Sequence, residues 1–136
     1  MTLKGLLVSD LMSTALLTLK AKDSVSRADF DMKLAHIRHM PVVDDKNHVI
    51  GILSNRDVFR ALGDDKERSI PVSKVMTREP ITVNPNQPAH EAAALMLAHK
   101  IGALPVVGDE EQLIGLVTET DFLEIAHRAL APQKPR

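Results

Sequence analysis

The chain has no cysteine, no tryptophan and no tyrosine among its 136 residues, and it has three phenylalanines. Without cysteine there is no disulfide, no thiolate nucleophile and no thiolate metal site. Without aromatic platforms the stacking surfaces that hold single-stranded nucleic acid or sugar rings are missing, so a bound base has to be gripped by aliphatic side chains and backbone. The formal net charge of −1 provides no basic field for nucleic acid, and no acidic tail is present. Long apolar runs are lacking too: Met1 to Leu17 is broken by Ser9, Asp10 and Ser13, too polar for a signal-peptide core or a membrane span. These absences lead to the expectation of a cytoplasmic protein with neither nucleic acid nor membrane as a partner. With 44% hydrophobic and 26% charged residues the composition is that of an ordinary globular chain. Its length fits one compact domain or two half-sized units sharing a core.

What is present is a stretch written twice: Gly51-Ile52-Leu53-Ser54-Asn55-Arg56-Asp57 and Gly115-Leu116-Val117-Thr118-Glu119-Thr120-Asp121. Each reads as the end of a buried strand entering a helix. A hydroxyl residue stands at the N-cap and an aspartate follows three positions later, the spacing of a capping box. The same pair of groups beside the free N–H groups of a helix N-terminus suits a phosphorylated sugar, because the helix end attracts phosphate and a carboxylate accepts from ribose hydroxyls. The shift of 64 positions between the copies superposes the rest of the chain without a gap: Met12 on Met76, Thr18 on Thr82, Ala28 on Ala92, Met32 on Met96, Pro41-Val42-Val43 on Pro105-Val106-Val107. Two copies of one structural unit follow, each too small to bury much core alone.

Each unit reads as strand, helix, strand, strand, helix after a short lead-in. In the first, Leu16 to Leu19 is a short strand, and Asp23 or Ser24 caps a helix to His36 with Val25, Ala28, Met32 and Ala35 at helical spacing. Met40 to Val43 and Val49 to Ser54 form a hairpin across the turn Asp44 to His48. Asn55 to about Leu62 is the closing helix, with Gly63 as its C-cap. A charged linker, Gly63 to Ser69, leads to the second unit, with Val72 to Met76 as lead-in, Ile81 to Val83 as strand and a helix from Pro88 to His99. The hairpin Leu104 to Val107 and Leu113 to Thr118 and the last helix, Glu119 to about Leu130, complete it.

The six histidines show no pair at the spacing of a helical zinc site with a third ligand in view. No metal is expected. For catalysis there is no cysteine, no serine with a placed histidine and acid, and no paired carboxylates, since Asp57 and Asp121 belong to separate units. The methionines read as core filler, with Met12 and Met76 plugging equivalent gaps.

The run Met76, Thr82-Val83, Ala92, Met96, Ile101, Leu104-Pro105-Val106-Val107 and Gly115 to Asp121 resembles the CBS domain, named for cystathionine β-synthase. The tandem pair is similar to the Bateman module that senses adenosine nucleotides, and Ile37 to Asp44 resembles small free-standing bacterial pairs of the acetoin-utilisation type. The resemblance covers Val8 to about Ala129. It implies an α+β fold of two β-α-β-β-α repeats, residues 8–62 and 72–130, packed as a pseudo-twofold pair with two equivalent clefts. Carried over from the family, Ser54 with Asp57 and Thr118 with Asp121 hold phosphate and ribose, and Arg38 and His39 contact phosphate. The partner unit lends Thr82, Gly102 and Ala103 to that cleft, with Thr18 as the equivalent of Thr82, and Arg56 is a further phosphate candidate. Because Gly102 and Ala103 replace Arg38 and His39 in the second unit, the second cleft is expected to lack cations of its own and the first to be the stronger site. The resemblance further implies a non-enzymatic regulatory module that takes AMP, ADP, ATP or a related adenosyl ligand, forms a homodimer and acts in trans on an effector protein. The alternative is a ligand-free structural dimerisation module whose motifs survive only as caps; an enzyme acting on a nucleotide is the remaining rival.

Overall fold

In the computed structural model, residues 5–64 and 69–133 are described. The middle of the expected linker and the end of the C-terminal tail lie outside them. Helix α1 (Val8–Leu11) is followed by α2 (Val25–Ala35), the hairpin β1 (His39–Val43) and β2 (Val49–Ser54), and α3 (Asn55–Asp64). A 3-10 turn at Val72–Lys74 and the two-residue strand β3 (Thr77–Arg78) lead to α4 (Ala89–His99), the hairpin β4 (Ala103–Val107) and β5 (Leu113–Thr118), and α5 (Glu119–Leu130). Helix α2 starts where a hydroxyl can cap it: Ser24 accepts from the Arg27 N–H at 3.1 Å. It ends at His36, which takes the left-handed conformation with φ 56°. Its equivalent after α4, Lys100, does the same at φ 54°. Among the described residues no helix is long and apolar enough to cross a membrane.

The two hairpins carry identical register. His39 pairs with Ser54 and Ala103 with Thr118, and each ladder shifts by one residue near its far end, at Val42/Val43 and Val106/Val107. Pro41 and Pro105 cost no bond inside the hairpin ladders, because their N and O face the outer edge, where their carbonyls accept from the Leu19 and Val83 N–H groups respectively. The hairpin tips meet: the Leu113 N–H donates to Asn47 O at 2.9 Å, and Asn47 Nδ2 donates to Leu113 O at 3.0 Å.

The core is double, and the lead-ins are exchanged between its halves. Val72 is fully buried with Leu19, Val25, Ala28, Met32, Met40, Val42, Leu53 and Val58 of the first repeat, and Val75 and Met76 pack beside it. Val8 is buried with Val83, Ala92, Met96, Leu104, Val106 and Val117 of the second repeat, beside Leu11 and Met12. The hydrogen bonds repeat the exchange at the same offset: Val72 N–H donates to Asp23 O and Ser73 N–H to Ala21 O, while Val8 N–H donates to Gln87 O and Ser9 N–H to Pro85 O. Beyond them, β3 pairs with β2, and Ser13 makes the equivalent bridge to Leu116. Met12 and Met76 fill equivalent gaps over glycines of the opposite repeat: a Cβ at Gly51 would run into Met76 Sδ, and one at Gly115 would lie 2.7 Å from Met12 Sδ.

Three sequence expectations are corrected. The strands expected at Leu16 to Leu19 and Ile81 to Val83 are single parallel bridges, Leu19 to Val42 and Val83 to Val106, because Pro41 and Pro105 have no N–H with which to extend the pairing back to Leu17 and Ile81. Gly63 lies inside α3, which runs to Asp64. Pro88 is the N-cap of α4, with extended ψ of 138°, and Ala89 opens the helix. At α1 the cap position is Leu7; Asp10 stands three residues on and accepts from the Leu7 N–H at 2.8 Å.

Candidate functional site: two clefts meeting on the repeat axis

The repeated motif builds the same corner twice. At the start of α3, the Ser54 N–H donates to Asp57 Oδ2 at 2.9 Å and the Asp57 N–H donates to Ser54 Oγ at 3.1 Å, a reciprocal capping box. At the start of α5, the Thr118 N–H donates to Asp121 Oδ2 at 2.7 Å and the Thr118 hydroxyl leans on the same oxygen at 3.4 Å. Both aspartates are half-buried. Burial pushes the Asp121 carboxyl above the usual aspartate range, against the hydrogen bonds from Thr118 that favour the charged form, with the Glu124 carboxylate adding to the rise.

Each corner opens into a cleft. The first, of about 1120 Å³, brings together Arg38, His39, Ser54, Arg56 and Asp57 from the first repeat with Gly102 and Ala103 from the second. The second, of about 1240 Å³, holds Thr118 and Asp121 and again Arg38, His39, Arg56 and Gly102. Thr18 and Thr82 line neither cleft; Thr82 is exposed and Thr18 half-buried beside the Leu19 and Val83 bridges.

The clefts share their inner walls, and this overturns the charge asymmetry expected from Gly102 and Ala103. Arg38, Arg56 and Lys100 line both. The first cleft adds Lys33 but also carries Asp29, Asp57, Glu79 and Glu119, so four cations face four carboxylates. The second sets three cations against Glu119 and Asp121. The matching of copies misses this because Arg38 and Arg56 of the first unit and Lys100 of the second reach both clefts. Among the described residues none of Arg38, Arg56, Lys100 and Glu119 forms an ion pair within 4 Å.

Burial lowers the His39 pKa from its ordinary 6.5, with the Glu119 and Asp57 carboxylates opposing and the Arg38 guanidinium reinforcing the drop. At neutral pH the imidazole is therefore uncharged, and the cations of the site are Arg38, Arg56 and Lys100. Sequence reading left out Lys100 and Glu119. The signal for them was positional: Lys100 stands where the first repeat has His36, and Glu119 where it has Asn55. Among the described residues no cluster of three metal-ligating side chains occurs.

Two α+β repeats with exchanged lead-ins and a motif-lined cleft on each side define a duplicated cleft-bearing module. A family model of the CBS domain matches residues 8–64 and again 72–128, and the chain belongs to this family, with two copies in tandem. A CBS domain-containing protein of Dictyostelium discoideum is 32% identical, over 96% of this chain and 97% of its own length. Two larger relatives from Methanocaldococcus jannaschii are an L-aspartate semialdehyde sulfurtransferase, 30% identical over 85% of this chain, and an inosine-5′-monophosphate dehydrogenase, 34% identical over 88%. The chain spans 22% and 23% of their lengths. A segment common to such different chemistries performs neither, and the tandem pair is not an enzyme. Among solved structures, the CBS domain pair of protein MJ0100 in complex with 5′-methylthioadenosine and S-adenosyl-L-methionine has a TM-score of 0.84 at 27% identity, covering 91% of this chain and 98% of that one. A Vibrio cholerae protein described as the acetoin utilization protein AcuB has a TM-score of 0.81 at 34% identity, covering 92% and 93%. The pair protein CBSX2 of Arabidopsis thaliana in complex with AMP has a TM-score of 0.80 at 28% identity, covering 93% and 100%.

Proposed function

We propose that this chain is a regulatory module that binds an adenosine-type ligand, AMP, ADP, ATP or a related adenosyl compound, in the clefts between its repeats and passes the bound state to an effector protein. The observation that carries the reading is the Asp57 corner. One carboxylate oxygen caps the helix, Asp57 Oδ1 has no protein partner among the described residues, and the group lines a cleft whose far wall is the small pair Gly102 and Ala103. A free carboxylate oxygen accepts from paired ribose hydroxyls, small residues admit a flat base, and Arg38, Arg56 and Lys100 offer charge-assisted donors to phosphate. The likeness to pairs solved with AMP and with S-adenosyl-L-methionine supports it. Because the ligand touches both repeats, it favours whichever geometry closes the cleft, and regulation follows as a population shift.

The homodimer belongs to the same proposal. Phe30, Leu34 and Phe59 on α2 and α3, and Leu97 and Leu123 on α4 and α5, are between 64% and 80% exposed, more apolar surface than helices facing water need. The structural reading retains one favourable observation, that both capping corners are satisfied by protein groups without any ligand. Equilibrium dialysis against AMP, ADP, ATP, NAD and S-adenosylmethionine separates the two: saturable binding supports the sensor, and none leaves the structural module.

A further inference from the structure

We infer that Glu119 is the specificity-determining residue that limits how much phosphate charge the clefts accept, so that adenosyl ligands with one phosphate or an uncharged 5′ group are preferred over triphosphates. The inference rests on the adenosine reading above and deepens it. Glu119 is the first residue of α5, held there by its own N–H donating to Gly102 O at 3.0 Å. Its side chain packs over Gly102, where an added Cβ would run into Glu119 Oε1 and lie 3.3 Å from His39 Cε1. It lines both clefts together with Arg38, Arg56 and Lys100, and its carboxylate is the strongest of the charges that oppose the loss of the His39 proton.

Glu119 is thus a built-in anion in the field of the cations that a ligand phosphate needs. The first repeat has neutral Asn55 at the equivalent position, whose N–H donates to Arg38 O at 2.7 Å in the same way as Glu119 to Gly102. The backbone corner therefore does not require a carboxylate. A fixed negative charge close to the phosphate site repels each added ligand charge, while leaving base and ribose contacts untouched. The penalty grows from adenosine through AMP to ATP, and it applies in both clefts because one side chain serves both.

The test is calorimetric titration of adenosine, AMP, ATP and inorganic tripolyphosphate into the wild-type chain and Glu119→Gln, with Glu110→Gln, an exposed turn residue outside both clefts, as the control for net charge. Glu119→Gln is expected to leave adenosine within about twofold, tighten AMP several-fold and tighten ATP and tripolyphosphate about tenfold or more, with Glu110→Gln unchanged. Equal affinities of wild type and Glu119→Gln for ATP and tripolyphosphate would overturn the inference, as would the same gain in Glu110→Gln. If neither protein binds adenosine or its nucleotides, the adenosine reading falls and the tripolyphosphate arm alone decides: tighter binding in Glu119→Gln upholds the role of Glu119, and equal binding or none ends it.

Discussion

Asp57 caps the start of α3 and lines the first cleft with one carboxylate, and substitutions separate the capping role from the proposed binding role. Asp57→Asn keeps an oxygen to accept from the Ser54 N–H and should leave the melting temperature close to wild type, while losing on the order of 1.5 to 3 kcal/mol of adenosine-ligand binding. Asp57→Ala removes the cap as well and should lower stability by about 0.5 to 2 kcal/mol; thermal unfolding beside ligand titration distinguishes them, and equal binding losses with no difference in stability would show that Asp57 caps nothing. His39 gives a pH signature with a definite sign. Its folded pKa lies below 6.5, so as pH falls the unfolded chain takes up the proton first, and stability declines from about pH 6.5 downward. A bound phosphate reverses the shift by favouring the imidazolium. The His39 ring should titrate below 6.5 by NMR in the free protein and at higher pH with AMP, whereas adenosine should leave it in place; a midpoint that ignores AMP would remove His39 from the phosphate site.

At the scale of elements, the lead-ins and hairpins interlock through glycines that leave room for methionine. Gly51→Ala meets only Met76 atoms, the movable end of a flexible side chain, whereas Gly115→Ala meets Met12 and also the Ser13 backbone oxygen at 3.1 Å. Both should destabilise, by about 1 to 3 kcal/mol. Adding Met76→Ala should relieve the clash at Gly51, while Met12→Ala should relieve Gly115→Ala only in part, because backbone cannot step aside; denaturant midpoints of the four variants check this. The helices and hairpins were legible in the sequence because their apolar periods and turn residues are local, and α5 follows the expected span of Glu119 to Leu130. The exchange of lead-ins was not legible: the 64-residue offset says that Val8 and Val72 are equivalent, but not which core each enters. The corner at Ser54 and Asp57 was readable for the same local reason, whereas Lys100 and Glu119 enter the clefts through packing across the axis. On α3 and α5, Phe59 and Leu123 occupy equivalent positions at 79% and 69% exposure, Phe59 at the first cleft and Leu123 at the second. Replacing both by Asp should convert a dimer to a monomer in sedimentation without unfolding it; a monomeric wild type would remove the proposed dimer.

For the molecule as a whole, each core contains a segment of the other repeat, so neither half is complete alone. Val72 is as fully buried in the first core as Val8 is in the second, and the hairpin tips add hydrogen bonds between Asn47 and Leu113. Unfolding should be a single cooperative transition with calorimetric and van't Hoff enthalpies equal; two resolved transitions would show that the repeats are independent. On the proposed function, this interlock is the route by which a ligand between the repeats would bias their relative position, since each lead-in is buried in the opposite core. The proposed function has an adenosine-type ligand bound in the cleft at Asp57, across the two repeats. Its most direct measurement is calorimetric titration of AMP and adenosine into the wild-type chain and the double replacement Arg38→Gly with His39→Ala, which copies Gly102 and Ala103. The wild type should bind both ligands saturably and prefer AMP, and the double replacement should retain adenosine while losing most of that preference, with Arg56 and Lys100 sustaining the remainder. Absence of binding to the wild type, or an AMP affinity unchanged in the double replacement, would contradict it.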